Sequence, residues 1–581
     1  MSVRSRVLRL PGSTIRPLGV AALAAALVVL ATCGCGPRRS RDVAVTASGR
    51  PYFGDVSPPE RDVFTFDLGA EPESFDPGLA VGQPDGRVCR LMFEGLARED
   101  PRTLEPTPGQ AYRWDLSADG RTYTFHLRPG LAWSDGAPLT AEDFRWSWIR
   151  VLRPETASRY ANLIAMVEGA ADFNAGRLTD ERVVGIAAPD DSTLVVRLTA
   201  PTAYFLHLTQ FYTLLPVPRR AIERWGNRWT QPEHVVGNGA FLLKHWRQND
   251  RFEFVRNPRY WDAANVKLDG VVALSLDEMN TATNLYKAGA MDWQPSGYLP
   301  SSFIPYLRSY ADFKHGGFQG VYFYAMNVTR KPFDDPWVRR ALNLAVDRDA
   351  IARDLLKGSR DPWGNMTPTG YPGYHAPPPV KFDPQRAREC LARAGYPGGR
   401  GFPRVAILIS TSEDLRRIAE AVQAMWKREL GITVEIANQE WGSYLQSTTS
   451  LQFDVASRSW IGDYLDPNTF LACFVSGDGN NRTGWSDPEY DRLIRTAASE
   501  LDPARRFALL AGAERRLLED GPVIPIYHMA TNELIKPYVR GLYPTPLNVH
   551  PLTHVWIDRD WPSRTTQVAR EGARRAPVAG H

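Results

Sequence analysis

Apolar and polar residues alternate in Val63-Phe64-Thr65-Phe66-Asp67-Leu68, the period-two pattern of a strand with one buried face. The same pattern predicts strands over 123–127, 193–198, 252–255, 405–409 and 433–436. Elsewhere apolar positions recur at three and four residues, which predicts helices over 140–152, 338–356, 383–394, 413–429 and 503–519. Thr140 supplies a start signal, because its hydroxyl can meet free backbone N–H groups and Asp143 stands three residues on. Strands interleaved with helices indicate an α/β protein. No repeat of 20–50 residues is visible, which argues against a solenoid or propeller. Residues 36–59, rich in Arg, Ser, Pro and Gly, read as a flexible tether, and 562–581 as a disordered tail.

Length changes this picture by requiring sub-domains: 581 residues exceed what a single core organises. Charge changes it less than it first suggests. Residues 1–34 carry four arginines and no acid; 36–50 and 562–581 each carry four arginines against one acid. Those ends hold ten net positive charges, so the formal +4 of the chain leaves about −6 on the body. A nucleic-acid-binding role is thereby excluded.

Arg4, Arg6, Arg9 and Arg16 precede an uncharged apolar run, 18–31. It falls short of the ~20 residues that span a bilayer, and with its basic flank it reads as an export signal. Thr32-Cys33-Gly34-Cys35-Gly36 then resembles a bacterial lipobox. Cys35, after Gly34, is the expected lipid-attachment site, with Cys33 the alternative. An acylated cysteine holds a domain at a membrane surface, so export to the periplasm or the outer face of the cell envelope is expected. The other cysteines, Cys89, Cys390 and Cys473, are widely spaced and read as buried thiols.

Catalytic patterns are missing from the sequence. There is no HExxH, no Gly-x-Ser-x-Gly elbow and no phosphate loop, and Gly237-Asn238-Gly239 lacks a third glycine. His550 and His554 lie four apart without a third ligand nearby and read as ordinary surface or packing residues. No enzyme activity, metal or cofactor is expected.

Three stretches carry a different signal. The first runs from Ala111 through Asp119-Gly120, a hairpin turn, and Ser134-Asp135-Gly136 to the capped helix start at Thr140. The second is Gly69-Ala70-Glu71-Pro72-Glu73-Ser74-Phe75-Asp76-Pro77, and the third runs from Phe453 through Trp460-Ile461-Gly462-Asp463 to Pro467. With Trp229-Thr230-Gln231-Pro232, Arg256-Asn257-Pro258-Arg259-Tyr260-Trp261 and Asn480-Asn481-Arg482-Thr483-Gly484-Trp485, they resemble the extracellular solute-binding family that contains the oligopeptide- and dipeptide-binding proteins of ABC transporters. The likeness spans roughly residues 63–560 in the family's order.

That resemblance implies a two-lobed periplasmic-binding-protein fold (type II) with an additional inserted domain and a hinge-closing ligand cleft. Mapped here, lobe I would combine 60–94, 217–319 and 528–561, the insert would be 95–216 and lobe II 320–527. The implied role is the substrate-binding component of an ABC importer, a monomer that delivers short peptides to the permease subunits. Asp463 matches the residue that pairs with a peptide's α-ammonium group, a strong charge-assisted contact. Trp460 would wall the same pocket; Tyr160, Gln83 and Tyr322 lie in segments that line the cleft in relatives. At two places where close oligopeptide binders carry arginine, this chain has Ser457 and Thr448, leaving Arg458, Arg416 and Arg330 as candidates for the peptide carboxylate. A cysteine pair of some relatives is replaced near Gln319 and Ile461. The same scaffold could instead take an oligosaccharide, an opine or a metal chelate, or serve an extracytoplasmic hydrolase.

Overall fold

The computed structural model describes residues 43–561 and 566–569. The predicted signal segment, with Cys33 and Cys35, lies outside the described residues. Among those described, no helix is long and apolar enough to cross a membrane.

An eleven-stranded mixed sheet runs through the body. In spatial order its strands are Val434–Gln439, Val405–Ser410, Val455–Ile461, Phe313–Met326, Val523–Ile535, Trp293–Gln294, Val63–Asp67, Gly270–Leu274, Arg251–Arg256 and Phe241–Arg247. The short Asp361–Pro362 strand pairs off this path with Val523–Ile535. Two long antiparallel strands, Phe313–Met326 and Val523–Ile535, join the halves of the sheet. Their ladder changes register between Gly317 and Val321 and again between Tyr322 and Phe323. On one side of that irregularity Phe313 faces Leu534, and on the other Ala325 faces Val523.

Lobe II packs helices on both faces of its strands. One layer is Glu413–Leu430, Pro384–Arg393 and Pro336–Leu344, the other Pro488–Ser499 and Pro503–Asp520. In Glu413–Leu430, Ile418, Ala419, Val422, Met425, Trp426 and Leu430 form one buried stripe, and Ser412 caps the N-terminus through its hydroxyl. Each large apolar side chain buried this way contributes about 1.5–3 kcal/mol. Gly431, in the left-handed conformation at φ +72°, ends the helix.

An antiparallel four-stranded sheet, Ala111–Leu116, Thr122–Leu127, Thr193–Arg197 and Ile186–Asp190, forms the insert. Its first hairpin turns at Asp119-Gly120, with Gly120 at φ +68°. Helix Ala141–Leu152 lies against it and begins as its sequence predicts: the Thr140 N–H donates to Asp143 Oδ2 at 2.8 Å. The insert shares one continuous apolar core with lobe I.

Three expectations need correction. Residues 338–356 do not form one helix. Pro336–Leu344 stops, and a new turn starts at Arg348–Ala350 because Asp347 accepts from the Ala350 N–H at 3.0 Å. The predicted tether at 36–59 is folded wherever the structure describes it. Val43–Thr46 is a strand, Phe53 is buried, and the Phe53 N–H donates to Asp312 Oδ1 at 2.9 Å. Within the predicted disordered tail, Thr566–Ala569 pairs antiparallel with Val43–Thr46, since each strand supplies the other's missing hydrogen bonds. Cys89, Cys390 and Cys473 are buried free thiols.

Candidate ligand-binding cleft

A cavity of ≈ 270 Å³ lies where lobe I, the insert and lobe II meet. Helix Gln83–Met92 forms its first wall, with Gln83, Gly86, Arg87, Arg90 and Leu91 on one face at helical spacing. Gly86 is required by close approach, because a Cβ there would stand 2.8 Å from the Tyr212 ring. Phe66 and Trp293, from adjacent strands of lobe I, make the floor. The insert contributes Tyr160, Phe211 and Tyr212, with the Tyr160 ring edge-on to Phe211 at 5.0 Å. Lobe II closes the far side with Ile461, Gly462 and Asp463.

Asp463 sits in a loop that is fixed in four ways. Its N–H donates to Thr469 Oγ1 at 3.1 Å, and the Gly462 N–H donates to the Gln319 carbonyl at 2.9 Å. Three residues on, Asp466 accepts two hydrogen bonds from the Arg506 guanidinium, at 2.6 and 2.7 Å. Tyr464 stacks on Tyr204 of the insert at 4.3 Å, so the loop is held from both sides of the cleft. The Asp463 side chain is half-buried, and burial alone pushes its pKa up to about 6. Arg90, the near cation on the cavity wall, is engaged by Glu99 at 2.9 Å. A carboxyl group raised by desolvation and unrelieved by a cation is suited to a ligand that brings one.

The structure therefore gathers Asp463, Gln83 and Tyr160 around one cavity. Gln83 also reaches across to the Leu547 carbonyl at 3.4 Å, and the Tyr160 hydroxyl donates to the Val81 carbonyl at 3.5 Å. The remaining predicted residues lie elsewhere. Trp460 is half-buried and packs into lobe II's second apolar cluster, and its neighbour Ile461 lines the cavity instead. Tyr322 is a core residue, 3% exposed and stacked on Tyr527 at 5.0 Å, because strand alternation turns it into the helix layer of lobe II. Arg330 pairs with Asp454 at 3.4 Å, and Arg416 lies exposed on Glu413–Leu430. Arg458, on Val455–Ile461, is half-buried. Burial lowers its pKa, Tyr444 opposes that shift and Arg482 adds to it.

Sequence reasoning missed Arg87, Trp293, Phe211, Tyr212, Asn548 and His550 as cavity residues. The stripe Gln83, Arg87, Leu91 at a spacing of four was the available signal for the first. His550, considered above only as a metal ligand, is buried edge-on against Trp293 at 4.5 Å.

Comparison with known proteins adds family to geometry. The profile of the bacterial extracellular solute-binding proteins, family 5 (middle), matches residues 105–482. The periplasmic oligopeptide-binding protein OppA of Salmonella typhimurium is 35% identical over 485 residues, covering 81% of this chain and 88% of that one. The probable deoxycholate-binding periplasmic protein YgiS of Escherichia coli is 34% identical over 500 residues, covering 83% and 90%. Among solved structures, the unliganded open form of the periplasmic murein tripeptide-binding protein MppA superposes with a TM-score of 0.77 at 33% identity, covering 89% of this chain and 98% of that one.

Proposed function

This chain belongs to the bacterial extracellular solute-binding proteins of family 5, and from that premise we propose that it captures short peptides by their free N-terminus and delivers them to an ABC importer. Family membership alone leaves the solute open, since the related proteins carry names for different ligands. The observation that carries the peptide reading is Asp463, a half-buried carboxyl raised to about 6 by a burial that no cation offsets, facing a cavity lined by aromatic rings, the amides of Gln83 and Asn548, and Arg87 and Arg90 on the opposite wall. An uncharged sugar would leave that group buried and unpaired, at a cost of several kcal/mol or a lost charge. A peptide ammonium supplies the missing partner, while the ring faces of Tyr160, Phe211 and Trp293 hold the first residue without reading it in detail. Arg458 is the candidate for the far carboxylate of a longer peptide, being half-buried and adjacent to a second cation, Arg482.

Two lobes that share a ligand close by hinge motion when the ligand touches both. Here the contact would run from helix Gln83–Met92 to the Asp463 loop, with the register break at Gly317–Val321 as the pivot. The decisive experiment is calorimetric titration of protein stripped of co-purified ligand with a tripeptide and its N-acetylated form. The free peptide is expected to bind and the acetylated one to fail; equal binding would end the amine-pairing reading.

Localisation at the envelope surface through a lipid on Cys35 completes the proposal. Its support is the basic flank, the short apolar run and Gly34 before Cys35. Cys35→Ser should abolish incorporation of labelled palmitate and release the protein from membranes, whereas Cys33→Ser should not. The reverse result assigns Cys33.

A further inference from the structure

Beneath the cavity floor lies a set of buried charges that amine capture by Asp463 does not use. Arg87 is 9% exposed on the cavity-lining face of helix Gln83–Met92. None of its three guanidinium nitrogens makes a hydrogen bond of good geometry. Its guanidinium carbon instead lies 5.5 Å from the Trp293 ring centre and 5.6 Å from that of Tyr298. Burial pushes the Arg87 pKa down, opposed first by Tyr298 and then by Glu533 and Asp67.

The two acids facing Arg87 are poor counter-ions. Glu533 is fully buried; Oε2 accepts from Trp293 Nε1 at 2.7 Å and Oε1 is unbonded. Asp67 is also fully buried, with Oδ1 accepting from the Gly69 N–H at 2.8 Å and Oδ2 unbonded. Burial raises Glu533 to about 7 and Asp67 to about 6, so a further negative charge near Arg87 could be met by proton uptake on either. His550 is pushed down to about 3 and adds no positive charge. Arginine, by contrast, keeps its proton. The cavity thus has an uncompensated acid on its lobe II side and an incompletely paired cation on its lobe I side.

We infer that Arg87 is a second charged anchor of this cavity, receiving a ligand carboxylate that lies close to the ammonium held by Asp463. This rests on the reading of Asp463 as the ammonium site. The chemistry is a compact zwitterion, with two sources for the acid: the side chain of an acidic first residue, or the C-terminus of a dipeptide. Trp293 holds the guanidinium from behind. Tyr298, half-buried and preceded by Gly297 at φ +95°, also lies against the guanidinium, and its ring has to yield for a carboxylate to reach the nitrogens. A carboxylate placed there can accept two parallel hydrogen bonds from the guanidinium.

The test titrates the full-length protein, stripped of co-purified ligand, with two matched pairs. Glu-Ala-Ala is set against its neutral isostere Gln-Ala-Ala, and Ala-Ala against Ala-Ala-amide, with Ala-Ala-Ala and its N-acetyl form as references. At least one acid is expected to bind ten-fold or more tightly than its neutral partner, and the responding pair identifies the source. In Arg87→Gln that preference should fall to within two-fold while Ala-Ala-Ala keeps its affinity. Should the single variant not fold, Arg87→Gln with Glu533→Gln removes both opposed charges and is read the same way. Ala-Ala-Ala binding only in its free form, with both pairs equal, overturns the Arg87 assignment and leaves Asp463 standing. A preference that persists without Arg87 also overturns it. Ala-Ala-Ala failing to bind, or binding equally when acetylated, removes the Asp463 reading and this inference with it.

Discussion

Asp463→Asn should make the empty protein more stable while weakening its hold on ligand. Burial lifts the carboxyl from 3.8 to about 6, a little over two pKa units. At ~1.36 kcal/mol per unit, the ionised group costs about 3 kcal/mol at neutral pH. Solvent at the cavity mouth screens part of this, so ~1–2 kcal/mol is the working figure. The folded chain retains a proton between about pH 4 and 6 that the unfolded chain has released. The penalty is therefore absent below pH ~4, grows through that window and is complete above pH ~6. Asparagine carries no such penalty and fits the same space. Thermal unfolding of the ligand-free protein should show the variant melting about 1–4 °C higher at pH 7.5, with the gap closing toward pH 4. Its affinity for a free-amine peptide should drop by roughly 1.5–3 kcal/mol, about 10–150-fold, the value of a charge-assisted hydrogen bond. A variant that melts lower at pH 7.5 would mean that the carboxylate supports the fold, and the reasoning from desolvation would be wrong. A variant that melts higher but binds just as tightly would keep the electrostatics and reject the amine.

Other substitutions separate the loop, the core and the ligand. Arg506→Met removes one partner of the buried pair with Asp466 and should destabilise lobe II by about 3–5 kcal/mol in a denaturant titration; a loss under 1 kcal/mol would show the pair is solvated. Tyr322→Phe removes a buried hydroxyl that makes no hydrogen bond of good geometry, so stability should change by less than about 1 kcal/mol and peptide affinity not at all; a large drop in affinity would return Tyr322 to the ligand site. Trp426→Ala should lower stability by about 3–5 kcal/mol while sparing affinity, since its ring lies in the helix layer of lobe II.

Strands with alternating burial or a flanking turn were legible in the sequence, and the two long central strands were not. The strands at 63–67, 122–127 and 405–410 alternate in burial or lie beside a clear turn, and their predicted spans fall within a residue or two of those observed. Phe313–Met326 and Val523–Ile535 lie at the centre of the sheet, and their apolar runs carry no period to read. Phe53 and Val56 were overlooked in a Pro- and Ser-rich segment, although two buried apolar residues suffice to dock an irregular segment against the body. At the cavity, the place of Asp463 on the wall was legible because its segment resembles a known one. Arg87 was not, because its meaning arises from Trp293, Tyr298 and Glu533, which only folding brings beside it.

The placement of these charges bears on how capture becomes a signal. Burial raises the Asp463 carboxyl and no side-chain cation offsets it, so the cavity is electrostatically unfavourable without a cationic ligand. A closed, empty cleft would desolvate the carboxyl further and find nothing to offset it. On the proposed reading a ligand reverses the sign: its ammonium would satisfy Asp463 from within the cavity, and its apolar surface would meet Tyr160, Phe211 and Trp293 on the opposite walls. Only contacts made on both sides of the cleft favour closure, because a ligand held equally well by one lobe shifts nothing. On that reading the residue that burdens the site without ligand would also make closure conditional on cargo, and a permease that recognises the closed form would be spared from engaging an empty protein.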